Sequence, residues 1–357
     1  MKIRIHSNDL NRMMKIIKPC LDTKSITKAV IQVTHENNRL KIRATNSHFS
    51  AEASTFLMGG DGETFCVDGP MMSRVASMCS GEIEISADEK TCTVKGTGRT
   101  KMPIVSMNIP DIPDVVGKSV KMLADNFKYC HSLVAYAVGS DQNRIQLTGV
   151  YVTTDGELMK MVTLDGFQLA IESTNANGDT ISAIIPGAFM TWAASVLEAG
   201  NQLTLKTDGT KVQIITDEMK LTCPLLNGEY IDYKRLLPKT FETESLVKVG
   251  QLRDALKAGN VVNNKQKLVK LQVESDSMTV MNNSEEADFD ADISCQTTGS
   301  PLKIAFNEAY LMNIMNAIDA DEAIMKFNSP VSPVVVQGKD QSGIHLTLPV
   351  RIHEVMN

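Results

Sequence analysis

An internal repeat of roughly 120 residues constrains this 357-residue sequence more than any other feature in it. A helix-like segment recurs after a Gly or Asn, at residues 68–79, 186–197 and 307–318. Leu311, Ile314, Met315 and Ile318 fall at i, i+3, i+4 and i+7, one face of a helix, and Phe189, Trp192, Ala193 and Val196 repeat the stripe. Each copy opens with an earlier helix, striped by Leu10, Met13, Met14 and Ile17, then by Phe127, Cys130 and Val134, then by Leu252, Ala255, Leu256 and Gly259. Alternating segments follow the opening helices at 29–35 with 39–45, 149–154 with 158–163, and 269–274 with 277–282. Others follow the later helices at 82–86 with 92–95, 203–206 with 212–215, and 323–327 with 334–337. Period-two alternation broken by Asp, Gly or Pro reads as hairpins with one face buried. The predicted unit is helix, strands, helix, strands, and the fold class is α+β with three tandem copies. Polar stretches without a period place the boundaries so that the domains are 1–118, 119–241 and 242–357.

Composition narrows the function classes. Apolar residues make up 43% and charged residues 22%, enough for real cores. No run of about 18 apolar residues is present, so no membrane span is predicted. The first residues alternate like a strand and lack the apolar block of a signal peptide. The seven cysteines are scattered without a CxxC pair, which points to reduced thiols in a cytoplasmic compartment. The six histidines show no metal-ligand spacing, and there is no Walker loop, dinucleotide fingerprint or GxSxG elbow. Asp165-Gly166 is read as a turn whose carboxylate bonds its own backbone. No catalytic residue, metal site or cofactor is predicted, and the chain is read as a non-enzyme. A hydrolase or transferase with an unrecognised site would instead need a deep pocket with perturbed acids or a metal.

A formal net charge of −6 argues mildly against a nucleic-acid binder, unless the cations are gathered on one surface. Arg12 and Lys15, Arg74, Lys128, and Arg253 and Lys257 lie off the apolar stripes of their helices, and Lys24, Lys28, Arg144, Lys265 and Lys267 sit in loops. Each alone suits a solvated helix face. Together, on helices facing a common axis, they would attract phosphates without reading bases. No interleaved aromatics suggest single strands, so duplex DNA held without sequence preference fits best.

Several segments then resemble one family. Residues 158–170 contain Leu-Asp-Gly-Phe-Gln-Leu at 164–169, and residues 226–239 contain Asp-Tyr-Lys-Arg-Leu-Leu-Pro. Residues 303–318 open on Lys-Ile-Ala-Phe-Asn-Glu-Ala-Tyr-Leu, and residues 346–352 read Leu-Thr-Leu-Pro-Val-Arg-Ile. As a set these resemble the signatures of the bacterial DNA polymerase III β subunit, the β sliding clamp, with the first domain recognisable by pattern alone. The resemblance implies the DNA clamp fold and a head-to-tail homodimeric ring that encircles duplex DNA. It further implies that the ring tethers a DNA polymerase and is opened by a separate clamp loader. A repeat-built interaction scaffold that binds no DNA shares the fold and differs in the basic lining.

The resemblance also implies a cleft for partner proteins carrying short linear motifs with Leu and Phe anchors. Matching positions in the middle copy are Leu147, Leu164, Gly166, Phe167, Gln168 and Leu169. Ile231, Arg235 and Leu236 follow, then Val331 and Pro333, and finally Leu346, Leu348, Pro349, Val350 and Arg351 near the end. Phe167 and Gln168, just after a turn, are expected to be exposed, whereas Leu169 and Leu346 suit core as well as cleft. The sequence has Phe167-Gln168 where the family usually has His-Arg, Leu164 for Thr and Ile231 for Pro, so its peptide preference is expected to differ. The residues from His353 to Asn357 run past the family's usual end, as a phage-encoded clamp's divergence would allow. At the ring seam, Met102 and Ile104 match one side, and Val261 and Val262 the other.

Overall fold

The computed structural model describes residues 2–21, 29–58, 63–262, 267–284 and 286–351. Its elements follow one order three times. The first copy runs β1 (Lys2–His6), α1 (Ser7–Ile17), β2 (Val30–Glu36), β3 (Arg39–Thr45), β4 (Ser50–Phe56), β5 (Thr64–Asp68), α2 (Gly69–Met78), β6 (Glu82–Ala87), β7 (Thr91–Lys95) and β8 (Arg99–Pro103). The second runs β9 (Lys118–Leu123), α3 (Ala124–Val134), β10 (Gly149–Thr154), β11 (Leu158–Leu164), β12 (Gln168–Asn175), β13 (Asn177–Gly178), β14 (Ser182–Pro186), α4 (Gly187–Val196), β15 (Gln202–Thr207), β16 (Lys211–Ile215) and β17 (Met219–Pro224). The third runs β18 (Thr243–Lys248), α5 (Val249–Gly259), β19 (Leu268–Val273), β20 (Ser277–Asn283), β21 (Asp288–Gly299), β22 (Leu302–Asn307), α6 (Glu308–Ala317), β23 (Glu322–Phe327), β24 (Val334–Gly338) and β25 (Ile344–Thr347). Each copy therefore opens with a strand, where the sequence pattern had placed a helix first. The opening strand pairs far along the chain, β1 with β6, β9 with β15 and β18 with β23, so local periodicity carries no trace of its partner.

Helix starts follow local chemistry. Asp68 caps α2 by accepting from the Met71 amide at 2.7 Å, and Asn307 caps α6 by accepting from Ala309 at 3.0 Å. The predicted stripes are the buried faces: Leu10, Met13, Met14 and Ile17 are closed off, as are Leu252, Leu256, Leu311, Ile314 and Met315. Fully burying one such side chain is worth about 1.5–3 kcal/mol.

The residues pack as two compact units, 1–128 with 154–157 and 176–225, and 129–153 with 158–175 and 226–357. In the first unit, one sheet has the order β1-β6-β7-β8 and another β13-β9-β15-β16-β17-β4-β3-β2-β5. The second sheet is continuous across the copies because β17 pairs antiparallel with β4, Leu221 opposite Ala51 and Lys220 opposite Glu52. Trp192 packs tilted against Phe49 and edge-on against Phe189, with ring centroids 5.4 and 5.6 Å away, and donates Nε1–H to the Ile16 carbonyl at 3.1 Å. In the second unit the order is β10-β11-β12-β25-β24-β23-β18-β21-β20-β19-β22. Here β12 pairs with β25, the same fourth-strand-to-last-strand joint, with Leu169 opposite Leu346. A core of α5 and α6 side chains lies against β18 to β24.

All seven cysteines are free, and burial pushes the Cys20 and Cys92 thiols up to about 12. No helix among the described residues is long and apolar enough to cross a membrane, and no group of His, Cys, Asp and Glu among them is arranged to hold a metal ion.

Candidate peptide-binding cleft

The residues matched to a partner cleft centre on the β11–β12 turn, within the second unit. Gly166 has φ of +100°, a conformation glycine adopts without a Cβ penalty. The Asp165 carboxylate accepts from the amides of Phe167 and Gln168, each at 2.7 Å, so it is used by its own turn as the sequence reading held. The turn sets Leu164 opposite Leu169, and β25 continues the sheet. Strand parity then gathers Leu147, Val162, Leu164, Leu169, Ile171, Tyr233, Val335 and Leu346 into one apolar cluster. Leu169 is 0% and Leu346 4% exposed, so both belong to this core. The exposed apolar residues of the matched set are Phe167, Ile231, Leu236, Val331, Leu348 and Val350. Tyr151 stacks on Tyr230 at 4.8 Å and meets Tyr233 edge-on at 6.5 Å, adding an aromatic wall that sequence matching did not single out.

Residues 348–351 follow β25. The Leu348 amide donates to the Phe167 carbonyl at 2.9 Å, and the Val350 amide to the Ala305 carbonyl at 2.8 Å. Pro349 is half-buried between them and Arg351 is exposed. Arg235 is exposed and paired with Asp232 at 2.9 Å. Val331 is exposed and Pro333 half-buried on the turn between β23 and β24.

Two expectations change here. Phe167 is exposed, its ring stacked 5.8 Å from Tyr310, but Gln168 is 2% exposed. Its carboxamide donates to Asp165 Oδ2 at 3.0 Å and accepts from Asn313 at 3.3 Å, so the first residue of β12 is drawn against α6. Arg144, read as DNA-facing, instead lies over the turn: a Cβ added at Gly166 would meet its Nη1 at 3.2 Å. The 3-10 segment Gln142–Thr148 breaks at Arg144, which turns the side chain that way, and Asp141 holds its Nε at 3.0 Å. In the same unit, the Tyr136 hydroxyl is hydrogen bonded to His345 Nδ1 at 3.0 Å. Burial holds the His345 imidazole down to about 4 and raises the Tyr136 phenol and the Glu172 carboxyl.

The remaining cations divide into two sets. Lys15, Arg74, Lys257 and Lys267 are exposed. Three others are engaged inside their own unit. Arg12 bridges Glu218 at 2.6 Å, Glu198 at 3.3 Å and Asp9 at 3.4 Å. Lys128 donates to the Leu197 carbonyl at the end of α4 at 3.1 Å, and Arg253 to the Met315 carbonyl in the last turn of α6 at 2.7 Å. These two lie one residue after Phe127 and Leu252 of their stripes and answer the same need, a cation at a helix C-terminus. Lys24, Lys28 and Lys265 lie outside the described residues, as does the tail from His353.

Of the residues matched to a ring seam, Val261 is 84% exposed and Val262 half-buried. Met102 is 2% exposed, because alternation along β8 turns it inward and leaves Arg99, Lys101 and Pro103 outside. Ile104 is half-buried, its amide bonded to the Lys90 carbonyl at 2.9 Å.

This thrice-copied fold, with sheets joined from copy to copy, is that of the sliding clamps. The DNA polymerase III beta subunit of Thermotoga maritima superposes with a TM-score of 0.91 at 22% identity, covering 99% of this chain and 100% of that one. The griselimycin-bound sliding clamp of Pseudomonas aeruginosa gives 0.93 at 18% identity over 99% and 100%. In sequence, the beta sliding clamp of Streptomyces coelicolor is 24% identical over 340 residues, 89% of this chain and 90% of that one. A beta sliding clamp homolog of Streptomyces muensis is 28% identical over 259 residues, 69% of each. Residues 122–232 match the central-domain model of the DNA polymerase III beta subunit, and residues 234–351 its C-terminal-domain model. The chain belongs to the DNA polymerase III beta subunit family and is a DNA sliding clamp. The reading as a scaffold that binds no DNA finds no support in these matches.

Proposed function

We propose that two copies of this chain close head to tail into a ring around duplex DNA and tether a polymerase through the cleft. The ring has no catalysis of its own, works in the cytoplasm and is opened by a separate loader. Its three domains are 1–118, 119–241 and 242–357.

One observation carries the reading. The last strand of one copy joins the fourth strand of another twice within the chain, as β17 with β4 and as β25 with β12. The remaining members of this set are β8 and the first half of β21. Among the described residues β8 pairs with β7 alone, and residues 288–294 of β21 pair with β20 alone. An open edge calls for a strand. Joining β8 of one protomer to β21 of its partner satisfies both edges and, repeated, closes a two-membered ring. The exposed residues agree in charge: Arg99 and Lys101 on β8, Asp288, Asp290 and Asp292 on β21. Exposed Val261 lies just beyond α5, and the Phe289 ring reaches Gly259 at the end of that helix.

Encirclement holds DNA by topology, so the exposed Lys15, Arg74, Lys257 and Lys267 need supply only a weak attraction that permits sliding. The cleft raises the polymerase's effective concentration at the primer end. The test is retention after loading on nicked circular DNA compared with the same DNA linearised. Retention on the circle with loss from linear ends is expected; equal retention on both overturns the reading.

A further inference from the structure

Beside the cleft, in the same unit, lies a second concavity of about 760 Å³. It is lined by Ser300, Pro301, Lys303 and Pro330, together with Val331 and Arg351, two residues of the set matched to the cleft. Its walls are braced. The Thr243 hydroxyl donates to the Ser300 carbonyl at 2.8 Å, and the Glu242 amide donates to Asn328 Oδ1 at 3.1 Å. Gly299 has φ of +105°, and a Cβ there would meet the Glu242 carbonyl oxygen at 2.1 Å, so glycine allows the close approach of these two strand ends. A concavity fixed by hydrogen bonds from several elements requires little ordering when something binds.

We propose that this concavity is a second subsite for the partner that fills the cleft, and that it takes an acidic segment flanking the partner's apolar anchors. The inference rests on the peptide-cleft reading above. Two features favour it. The concavity shares Val331 and Arg351 with the set matched to the cleft, and the Val350 amide, next to Arg351, is pinned to the Ala305 carbonyl of β22. An extended peptide advances about 3.3 Å per residue, so a four-residue extension reaches about 13 Å beyond the anchors. The lining also carries two cations, Lys303 and Arg351, against one carboxylate, Glu242. Serine hydroxyls and proline faces beside these cations suit an extended acidic chain better than a bare anion.

The probe is a synthetic peptide with Leu and Phe anchors, made plain and with a four-residue Asp/Glu extension at either end, and read by fluorescence anisotropy on the full chain. One extended peptide should bind about three- to tenfold tighter than the plain one, and the gain should fall with rising salt. Lys303→Glu or Ser300→Trp should remove the gain and leave plain-peptide affinity unchanged. If the plain peptide binds and neither extension adds affinity, the second subsite is overturned while the cleft stands; if the plain peptide does not bind, the cleft reading itself fails. A gain that is insensitive to salt in the unaltered protein also overturns the proposal, even where a variant fails to fold.

Discussion

The Asn313 carboxamide donates to the Gln168 side-chain oxygen across 3.3 Å, tying α6 to the first residue of β12. Since Gln168 is buried, losing one partner leaves a polar group unsatisfied, at a cost of about 1–3 kcal/mol. Asn313→Ala should lower the thermal midpoint and weaken plain-peptide binding together, because the turn bearing Phe167 loses its anchor. A double-mutant cycle with Gln168→Ala should show coupling; strict additivity would mean the two act separately.

Cleft substitutions should separate by exposure. Leu348→Asp, at a 38% exposed position, should reduce peptide affinity about tenfold or more with the melting transition nearly unchanged. Leu169→Ala, at a fully buried position, should cost about 2–5 kcal/mol of stability. Calorimetry beside anisotropy distinguishes the two.

The cations should separate in the same way. Lys15→Glu with Arg74→Glu should weaken DNA retention and reduce the slope of log affinity against log salt by about one per residue. Arg253→Met should leave that slope alone and destabilise the fold, since the guanidinium serves the end of α6.

Reversing Arg99 and Lys101 to Glu should shift the protein toward monomer in sedimentation velocity, and adding Asp290→Lys and Asp292→Lys should restore the dimer. A dimer unchanged by the first pair would place the seam elsewhere.

Acid sensitivity follows from the buried imidazoles. His131 and His345 are held down to about 4 in the folded chain, against an ordinary value of 6.5. Between those values the unfolded chain binds protons that the folded chain refuses. Stability is therefore full above pH 6.5, falls as the pH drops toward 4, and levels below it, by roughly 3 kcal/mol per histidine. His345→Gln keeps an acceptor for Tyr136 and should flatten about half of that fall in denaturant midpoints measured from pH 7 to 4.

Much of this was legible in the chain itself. The stripes at Leu10–Ile17 and Leu311–Ile318 had only to be read at helical spacing, and the Asp165-Gly166 turn uses nearest-neighbour chemistry. Parity along β8, with Arg99 and Lys101 outside, also implies that Met102 faces inward. The Gln168 burial and the Arg144 position left no local signal.

Sequence alone determined the period of each element, the three-fold recurrence and the family, because those depend on residues within a turn or a strand of one another. Only the tertiary structure decided which strand opens each copy, which edges remain open, and which cations are engaged by carbonyls and carboxylates. Those outcomes depend on partners brought together from far apart in the chain: Arg12 beside Glu218, Gln168 beside Asn313. A periodic pattern says which side of an element is apolar, but carries no record of what the other side will meet.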